Sequence, residues 1–457
     1  MEDIYLRVDE KYHSAINNNA FNLFNTNDNV SLSDILVEDY TLFDYSDGNE
    51  HKGVPTGQNY IDEDGDIIDW QLVTDDNHPN RLKYSISDEH ILLSSLRLAK
   101  SPALNYEFEN INDYVFSNGF YIFKVKQGWD KRFVLFLLRS KKLKRLIDEK
   151  IYRGIGISSY KISDLFKVNI RNLSLSEQIS AVNAIIPVDN QIKVLKREKL
   201  NIQSIIDAVL KREFGFDYDK FDELRKTSRY SDSMVAFANN PDLRFSAKFH
   251  RPAGEFVRQE LNRITERKIK HYLAEPIILG ASVSPSDYNE NGEYQYLSMA
   301  TIKNWEFDNE TAQFVSISYS NSKTDKSIKC GDLILARSGE GTIGKVAIIE
   351  REDVKAIFAD FTMRIRLKNY NPKFAYYYMR STYFQYLVEI HKKGLGNNTN
   401  IFPIVVREFP IPGISLQEQQ RIVDEIQTEI NKQNEIKIQI DSLRSKIDSI
   451  IENAIIG

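Results

Sequence analysis

The sequence contains little cysteine and no long apolar segment. Cys330 is the single cysteine among 457 residues, which excludes an internal disulfide and a cysteine zinc cluster and favours a reducing compartment. No segment approaches the roughly 20 apolar residues of a membrane-spanning helix, and the N-terminus lacks the basic and then apolar pattern of a signal peptide. We therefore expect a soluble, cytoplasmic protein.

Signatures of catalysis are missing as well. The seven histidines are scattered, and the sequence has no zinc-protease motif, no nucleophile elbow and no methyltransferase motif. We therefore expect no catalytic residue and no metal site. The acidic stretch YIDEDGDIIDW offers oxygen ligands without the spacing of a calcium loop, which favours a solvated turn.

The charge is unevenly distributed along the chain. Net charge is −5, but residues 1–113 carry 7 basic and 23 acidic side chains, a balance of −16. The rest of the chain therefore carries +11. Binding to nucleic acid, which needs clustered lysine and arginine, remains compatible with this distribution.

An internal repeat indicates domain duplication, because its period is far longer than that of a solenoid. The string KRFVLFLLRS…LSLSEQ is answered by PKFAYYYMRS…ISLQEQ at a constant offset of 241 residues. An earlier echo has an offset of 237: Arg7, Lys11, Tyr12 and His13 recur as Arg244, Lys248, Phe249 and His250. The two repeated histidines are predicted to satisfy local hydrogen bonds.

Each copy ends in a segment without glycine, 175–213 and 416–454, and both are predicted to be long helices. A seam with steps of three and four runs along both. Its members are Ile192, Leu195, Lys199, Ile202, Ile206 and Val209, and then Gln433, Ile436, Ile440, Leu443, Ile447 and Ile450. The shared register favours pairing of the two helices over packing of each on its own domain. Pro187 is predicted to kink or restart the first helix.

The segments between these helices are predicted to be rich in short strands. In the second copy YQYLSMATI, IKCGDLILARS, GKVAIIE and DFTMRIRLK have apolar patterns of strand length. The expected fold class is α+β with a pseudo-two-fold internal duplication, in which an antiparallel two-helix coiled coil separates two β-rich domains. The predicted divisions are 1–174, 175–213 (helix), 214–240 (connector), 241–415 and 416–457 (helix).

The string SGEGTIGKVAII fits a dinucleotide fingerprint and most of a phosphate-binding loop, through Gly339, Gly341, Gly344 and Lys345. However, Val346 stands where a phosphate-binding loop needs serine or threonine, and both motifs must open a helix. Because VAII is a strand sequence, we predict a tight turn between antiparallel strands.

This glycine string, together with KKGLGNNTNIFPIVVREFPIPGISLQEQQRIVDEI, resembles the specificity subunits of Type I restriction-modification systems. The resemblance covers almost the whole chain, and its specific motifs lie in the C-terminal half; LLSSLRLAKSPALNY replaces the glycine-rich turn in the first copy. It implies that 1–174 and 241–415 are target-recognition domains, each reading one half of a bipartite, asymmetric DNA sequence through the major groove. It also implies that the helices set the gap between the half-sites.

The resemblance further implies partners. These are double-stranded DNA, two modification subunits that methylate adenine at N6 with S-adenosylmethionine, and restriction subunits that use ATP as motor and nuclease. Neither cofactor is expected to bind this chain, which is expected to be non-catalytic. The helix pair is expected to dock the modification subunits.

Candidate DNA-binding residues follow from charge and position. Residues 139–153 carry a balance of +5 and residues 361–407 carry +7, as two phosphate-tracking faces would. The predicted DNA-binding residues are Lys141, Lys142, Lys144, Arg145, Arg153, Arg337, Ser338, Lys345, Arg364, Arg366, Lys392, Lys393, Asn397, Asn398 and Asn400. Solvated helix faces and a plain loop are the alternative interpretations of these residues.

Three other functions stay open at this point. The chain could be a coiled-coil adaptor that binds proteins through two β-rich modules, with the acidic first domain as an interaction surface. It could be an inhibitory homologue of a specificity subunit whose acidic part competes with DNA. A nucleotide enzyme built on the glycine string is the weakest of the three.

Overall fold

A computed structural model describes residues 28–57, 59–96, 110–151, 159–227, 229–231, 248–302, 304–339, 341–394 and 399–456, without the side chains of Glu149, Lys150 and Ile456. The chain divides into two compact units: unit 1 is Met1–Glu198 with Ile436–Gly457, and unit 2 is Lys199–Glu435. Helices and short strands alternate in both, which confirms the α+β class. Within the described ranges, no helix combines the length and apolar character needed to cross a membrane.

Unit 1 contains short strands and, up to residue 174, short helices. The strands are β1 (Asn29–Ser31), β2 (Leu36–Glu38), β3 (Thr41–Leu42), β4 (His51–Val54), β5 (Gln71–Val73), β6 (Leu82–Ser85), β7 (His90–Ser94), β8 (Tyr114–Ser117), β9 (Phe120–Val125) and β10 (Asn169–Arg171). The helices are α1 (Leu32–Ile35), α2 (Lys131–Arg139), α3 (Lys141–Leu146), α4 (Ile162–Leu165) and α5 (Leu175–Glu198), with a 3-10 turn at Ile111–Asp113 and a π-turn at Ile147–Ile151.

The main sheet of unit 1 has five strands in the order β3-β6-β8-β4-β5. Its strands are antiparallel except for β4 and β8, which are parallel. Successive side chains of a strand point to opposite faces, so Val115 enters a cluster with Leu82 and Val73, whereas Phe116 enters one with Val54 and Phe120. Apolar side chains therefore cover both faces. The remaining strands form the sheets β2-β9-β7 and β1-β10.

Unit 2 combines two sheets with longer helices. Its strands are β11 (Ile278–Leu279), β12 (Tyr294–Leu297), β13 (Phe314–Val315), β14 (Leu333–Ala336), β15 (Val346–Ile348), β16 (Ala356–Phe358) and β17 (Thr362–Ile365). Its helices are α6 (Ile202–Phe214), α7 (Tyr218–Lys226), α8 (Pro252–Ile264), α9 (Ile317–Ser322), α10 (Pro372–Arg380), α11 (Thr382–His391) and α12 (Pro403–Val406), with 3-10 turns at Ile269–Tyr272, Pro285–Asp287, Ala300–Ile302 and Thr324–Lys326. The last helix, α13 (Leu416–Ile456), contributes residues to both units.

Strand β14 of unit 2 has an uninterrupted apolar sequence because both of its faces are buried. The four-stranded sheet has the antiparallel order β11-β17-β14-β15. Leu333 and Leu335 of β14 enter one apolar cluster, and Ile334 and Ala336 enter another on the opposite face. A strand buried on both faces has no polar alternation. The second sheet, β13-β12-β16, pairs β12 and β16 in parallel.

Matching hydrogen bonds occur 241 residues apart, at the offset of the sequence repeat. The backbone N–H of Asp130, which caps α2, donates to the side chain of Gln178 (2.7 Å). The N–H of Asn371, which caps α10, donates in the same way to Gln419 (2.7 Å). Both glutamines are almost fully buried. These contacts support the predicted duplication; the repeat residues 7–13 and Arg244 lie outside the described residues.

The long helices begin at Leu175 and Leu416, as the pattern predicted, but the first is interrupted at another place. The predicted restart at Pro187 is wrong, because α5 continues through that residue. A proline removes one backbone donor, and buried side chains before and after Pro187 hold this helix in place. The break falls at 199–201, where the side chain of Asn201 caps α6. The predicted domain boundaries stay a prediction.

Within each unit the long helices lie antiparallel. In unit 2 the N–H of Leu200 donates to Gln433 of α13 (2.7 Å). Arg212, further along α6, pairs with Glu425, which lies earlier on α13. In unit 1, residues 190–195 of α5 line a groove with residues 438–443, and Ile185 shares a core with Ile451. Residue numbers therefore increase along one helix in the direction in which they decrease along the other.

The predicted seam residues differ in burial. Ile192, Ile206, Val209 and Ile440 are buried, and Leu195, Ile202, Ile436, Leu443, Ile447 and Ile450 are partly buried. Lys199 is exposed because it lies in the break, and Gln433 is partly buried. The apolar side chains of α13 that are most buried in unit 2, Ile422 and Ile426, lie before the predicted seam.

Candidate nucleic-acid interface

The glycine string forms the connection between β14 and β15. These strands are antiparallel, and the N–H of Ala336 donates to the carbonyl of Lys345 (2.8 Å). The predicted antiparallel strands are confirmed, although the connection spans residues 337–345, of which Glu340 is not described, and is longer than a tight turn. Because a strand follows Lys345, the helix that a nucleotide-binding motif requires is replaced by a strand.

Gly344 is required where this loop approaches α11. Its φ is +87°, and a Cβ atom there would lie 2.8 Å from the side-chain oxygen of Gln385. The carbonyl of Gly344 accepts a hydrogen bond from the same side chain (2.9 Å). The glycine therefore serves close packing of the loop on a helix.

Two chain segments that are distant in sequence meet beside this loop. Lys393 and Asn400 exchange two backbone hydrogen bonds (2.8 and 2.7 Å), and the N–H of Ile401 donates to the carbonyl of Arg337 (2.8 Å). Ser338 forms a bridge with Asn400 as well. The structure thus brings together four of the predicted DNA-binding residues. Asn397 and Asn398, between them in sequence, lie outside the described residues.

Two exposed aromatic residues that sequence reasoning missed contact Arg337: Phe402 through its ring, and Phe361 through its backbone carbonyl, which accepts from the N–H of Arg337 (2.9 Å). Its guanidinium lies 6.0 Å from the ring centroid of Phe402 and donates to the carbonyl of Asp360 (3.1 Å). Phe361 is 47% exposed and Phe402 is 40% exposed. Isolated phenylalanines in apolar segments give no sequence signal that separates exposed from buried rings. Arg337 is partly buried, and a cation beside an exposed aromatic ring can contact both phosphates and sugar or base faces.

The other candidates in this loop region differ in their surroundings. Ser338 is buried, and its hydroxyl donates to the carbonyl of Thr399 (3.2 Å). Lys392 is paired with Glu389, which Lys248 also contacts (2.7 Å). Burial raises the pKa of Glu389, but the hydrogen bonds from Lys248 and Lys392 outweigh it and lower the pKa below its ordinary value. Lys393 is exposed, whereas Lys345 is partly buried.

Arg364 and Arg366 on β17 are turned toward acidic and carbonyl groups of unit 2. Arg364 is 5% exposed and pairs with Glu275. Arg366 binds both carboxylate oxygens of the buried Asp332 (2.6 and 2.7 Å), and these hydrogen bonds raise the pKa of Arg366. Such contacts favour a bracing role, because a guanidinium engaged with a buried carboxylate is not presented to phosphates.

The first basic patch lies on α3 in unit 1. Lys141 and Arg145 are exposed, and Lys142 is partly buried. Lys144 lines a cavity of about 550 Å³ together with Asp441 and other acidic residues. The placement of Arg153 lies outside the described residues. The patch is therefore partly directed at acidic side chains of its own unit.

The acidic stretch is not a solvated turn, contrary to the prediction. Asp64 is 6% exposed, and both of its oxygens accept hydrogen bonds from Arg444 of α13 (2.8 and 2.6 Å). Lys196 of α5 contacts Asp62, Asp64 and Asp66, whose carboxylates lie within 4.8 Å of one another. Burial raises the pKa of Asp64, but the hydrogen bonds from Arg444 and the charge of Lys196 outweigh it and lower the pKa.

A known family matches part of the C-terminal half of the chain, which contains the glycine loop. Residues 276–442 match the family model of the Type I restriction modification DNA specificity domain. This match confirms the predicted resemblance over those residues. The matched segment includes the loop at 337–345, the paired Lys393 and Asn400, and the first part of α13.

Solved structures show weak likeness over most of the chain. One, from work on complex assembly and conformational transition of the type I R-M system, is 14% identical, with a TM-score of 0.47 and coverage of 94% of this chain and 97% of the other. The HsdS subunit from Thermoanaerobacter tengcongensis is 13% identical, with a TM-score of 0.35 and coverage of 94% and 96%. The Type-I restriction-modification system S subunit from M. genitalium is 11% identical, with a TM-score of 0.40 and coverage of 94% and 96%. Among curated proteins, none matches this sequence significantly.

Proposed function

We propose that this chain is the DNA sequence-specificity subunit of a Type I restriction-modification system. The match of residues 276–442 to the DNA specificity domain carries the proposal. It is supported by the loop region in which Arg337, Lys393 and Asn400 are brought together, because arginine and lysine bind phosphates or guanine and asparagine binds adenine. In this proposal unit 2 reads one half of a bipartite sequence and unit 1 reads the other.

In this proposal the methylation and the ATP-dependent reactions belong to partner subunits and not to this chain. Modification subunits would bind S-adenosylmethionine and methylate adenine at N6, and restriction subunits would use ATP; this chain would be non-catalytic. A docking surface for the modification subunits is offered in unit 1 by the groove between α5 and α13. There Val194 is 52% exposed and Ile438 is 67% exposed, and exposed apolar side chains are typical of interaction surfaces.

The test is co-expression of the full chain with its methyltransferase subunit, followed by single-molecule mapping of N6-methyladenine in the host DNA. The expected result is a bipartite methylated motif. The double variant Arg337→Ala/Lys393→Ala should weaken or relax one half of that motif and leave the other half unchanged, because both residues belong to unit 2. Arg351→Ala/Lys355→Ala is the matched control, since it removes two exposed cations of the same unit.

The outcomes separate the proposal from its rivals. A methylated motif that is identical in the double variant and in the wild type would reject the assigned interface. A stable complex with the methyltransferase that methylates no motif would favour an inhibitory homologue. A chain that ignores DNA at low salt and forms no such complex would favour an adaptor.

One observation favours the adaptor as a second candidate. Ile68, Trp70 and Leu72 alternate along the edge strand β5 and the residues before it, and they are 52%, 42% and 62% exposed. Residues 44–76 carry ten acidic side chains and one lysine. An acidic surface with exposed apolar residues suits a basic protein segment better than DNA. A salt-sensitive complex with a basic protein in place of DNA would support this candidate.

A further inference from the structure

Two aspartates, Asp207 and Asp448, occupy equivalent positions in the two units. Asp207 lies on α6 in unit 2, and Asp448 lies on α13 in unit 1. They are separated by 241 residues, which is the offset of the internal repeat. Both are contacted by the first residue of a short helix.

In unit 1 the helix concerned is α3, which carries the first basic patch. The backbone N–H of Lys141, the first residue of α3, donates to Asp448 Oδ1 (3.0 Å). The ammonium group of Lys141 lies 3.4 Å from Asp448 Oδ2, and the side chain of Asp448 is 16% exposed. Ser140 caps the same helix by accepting from the N–H of Leu143 (3.3 Å).

In unit 2 the helix concerned is α11, which ends directly before Lys392. The backbone N–H of Thr382, the first residue of α11, donates to Asp207 Oδ1 (2.9 Å), and its hydroxyl donates to Asp207 Oδ2 (2.6 Å). Gln203 also donates to Asp207 Oδ2 (3.0 Å). Ser381 caps this helix by accepting from the N–H of Phe384 (3.3 Å).

The geometry is the same in both units and has a clear physical basis. The first N–H groups of a helix have no partner within the helix, and the N-terminal end of a helix attracts negative charge. The serine cap satisfies the third of these groups, so the aspartate takes the first. A charge-assisted hydrogen bond of this kind is stronger than a neutral one.

The contacts are also crossed between the two copies of the repeat. Lys141 belongs to the first copy, but Asp448 lies on the helix that ends the second copy. Thr382 belongs to the second copy, but Asp207 lies on the helix that ends the first. The start of each short helix, α3 with its own basic residues and α11 directly before Lys392, is therefore held by the long helix of the other copy.

We propose that Asp207 and Asp448 are equivalent positioning residues for DNA recognition, each fixing the short helix next to the basic residues of its unit. This proposal rests on the proposed function. The aspartate does not touch DNA in this role; it sets where α3, with Lys142 and Arg145, or the end of α11, with Lys393, meets the duplex. Loss of one aspartate should therefore impair one half-site only.

The first test measures amide hydrogen exchange by mass spectrometry in the full chain. Asp207→Ala should accelerate exchange of peptides that cover α11 by about tenfold and leave α3 unchanged, because one charged hydrogen-bond acceptor is lost locally. Asp448→Ala should do the reverse. Asp207→Asn and Asp448→Asn, which keep one acceptor oxygen, should restore most of the protection. Asp424→Ala, at an exposed position of α13, is the control and should change neither helix.

The second test maps N6-methyladenine after co-expression of each variant with the methyltransferase subunit. Arg337→Ala first identifies the half-site that unit 2 reads. Asp207→Ala should then relax that half-site, and Asp448→Ala should relax the other, with recovery in the two asparagine variants. A general loss of stability would instead lower methylation of the whole motif without changing its sequence.

The outcomes distinguish this proposal from the proposed function. If exchange changes as expected but both half-sites keep their sequence, the aspartates hold the helices without positioning them for DNA, and the proposal is rejected. If each aspartate affects both helices or neither, the crossed contacts are rejected. If the wild-type complex methylates no motif, the proposed function fails and the positioning role fails with it, while the exchange data still decide the contact itself.

Discussion

Units 1 and 2 keep the same internal contacts at the starts of their helices but differ in the segments that pack further along the long helices. Gln178 and Gln419 make equivalent hydrogen bonds, as do Asp448 and Asp207. The outer parts diverge: unit 1 has an acidic turn bound by Arg444, whereas the equivalent position of Arg444 in unit 2 is Gln203. The comparison shows that the two units share the contacts that join their β-rich parts to the long helices and differ in the segments packed further along these helices.

The largest expected difference concerns the acidic turn that only unit 1 possesses among the described residues. Arg444→Ala should destabilise unit 1 by about 3 kcal/mol, because it leaves the buried Asp64 with Lys196 alone. Gln203→Ala, at the equivalent position, should destabilise unit 2 by less than about 1 kcal/mol. Urea titration followed by hydrogen exchange of peptides from each unit measures both values. Equal losses would remove this distinction between the units.

The next largest effect is expected at the two buried glutamines, whose hydrogen bonds are shared by both units. Gln178→Ala and Gln419→Ala should each cost about 2 kcal/mol of unfolding free energy, because each removes a buried glutamine and leaves a partly or fully buried backbone N–H and carbonyl without this partner. The same urea experiment measures them, with Gln439→Ala at an exposed position of α13 as control. A loss in one unit that is twice the loss in the other would contradict equivalent roles.

A smaller effect, on DNA affinity, is expected at the two predicted DNA-binding surfaces, one in each unit. Arg337→Ala/Lys393→Ala in unit 2 and Lys142→Ala/Arg145→Ala in unit 1 should each weaken DNA binding about tenfold. Each pair should also reduce the slope of affinity against salt by about 2, since each cation neutralises about one phosphate. Fluorescence anisotropy at several salt concentrations gives both quantities. An unchanged slope in the unit 1 pair would restrict phosphate binding to unit 2.

The smallest effect is a pH dependence. In unit 2, hydrogen bonds from Lys270, together with those from Lys268 and Arg407, lower the pKa of Glu408 from 4.5 to about 2. A lowered pKa adds stability above the ordinary value, and this stability is lost as pH falls from about 4.5 to 2. Glu408→Gln should therefore reduce the acid sensitivity of unit 2.

Unit 1 contains a comparable acid. A hydrogen bond with His51, with further hydrogen bonds from Asn49, lowers the pKa of Asp47 to about 2. Unfolding free energies of the wild type, Glu408→Gln and Asp47→Asn at pH 6 and pH 3 measure the two contributions separately. A variant whose loss between these pH values equals that of the wild type would show that its carboxylate is not linked to folding.

Local patterns predicted much of the architecture and part of the interface. Helices that start at Leu175 and Leu416 were predicted from segments without glycine. In the structure the hydroxyls of Ser174 and Ser415 accept from the N–H groups of Glu177 and Glu418 at these two starts. The strand after Lys345 follows from its β-branched residues, which is why the glycine string was assigned to a strand connection. Placing Lys393 beside Arg337 was beyond local patterns, because the backbone pairing joins segments more than fifty residues apart.

Burial of charged residues was the feature that segment composition did not predict. Arg364 and Arg366 count as positive charge in the sequence, but both are engaged with Glu275 and, for Arg366, Asp332. The acidic stretch looks solvated until Lys196 and Arg444 are placed beside it. The net charge of a segment does not show which of its charged side chains form ion pairs with other parts of the protein.

The sequence by itself determined that the chain contains an internal repeat, is mixed in helix and strand, and is similar to Type I specificity subunits, because periodicity, composition and motifs can be read from the order of the residues. Only the tertiary structure decided which charged side chains remain exposed and which form ion pairs within the protein. It alone revealed that Asp448 fastens the helix beginning at Lys141 and that Asp207 fastens the one beginning at Thr382. Such contacts depend on distance in space, and chain folding sets that distance independently of separation in sequence.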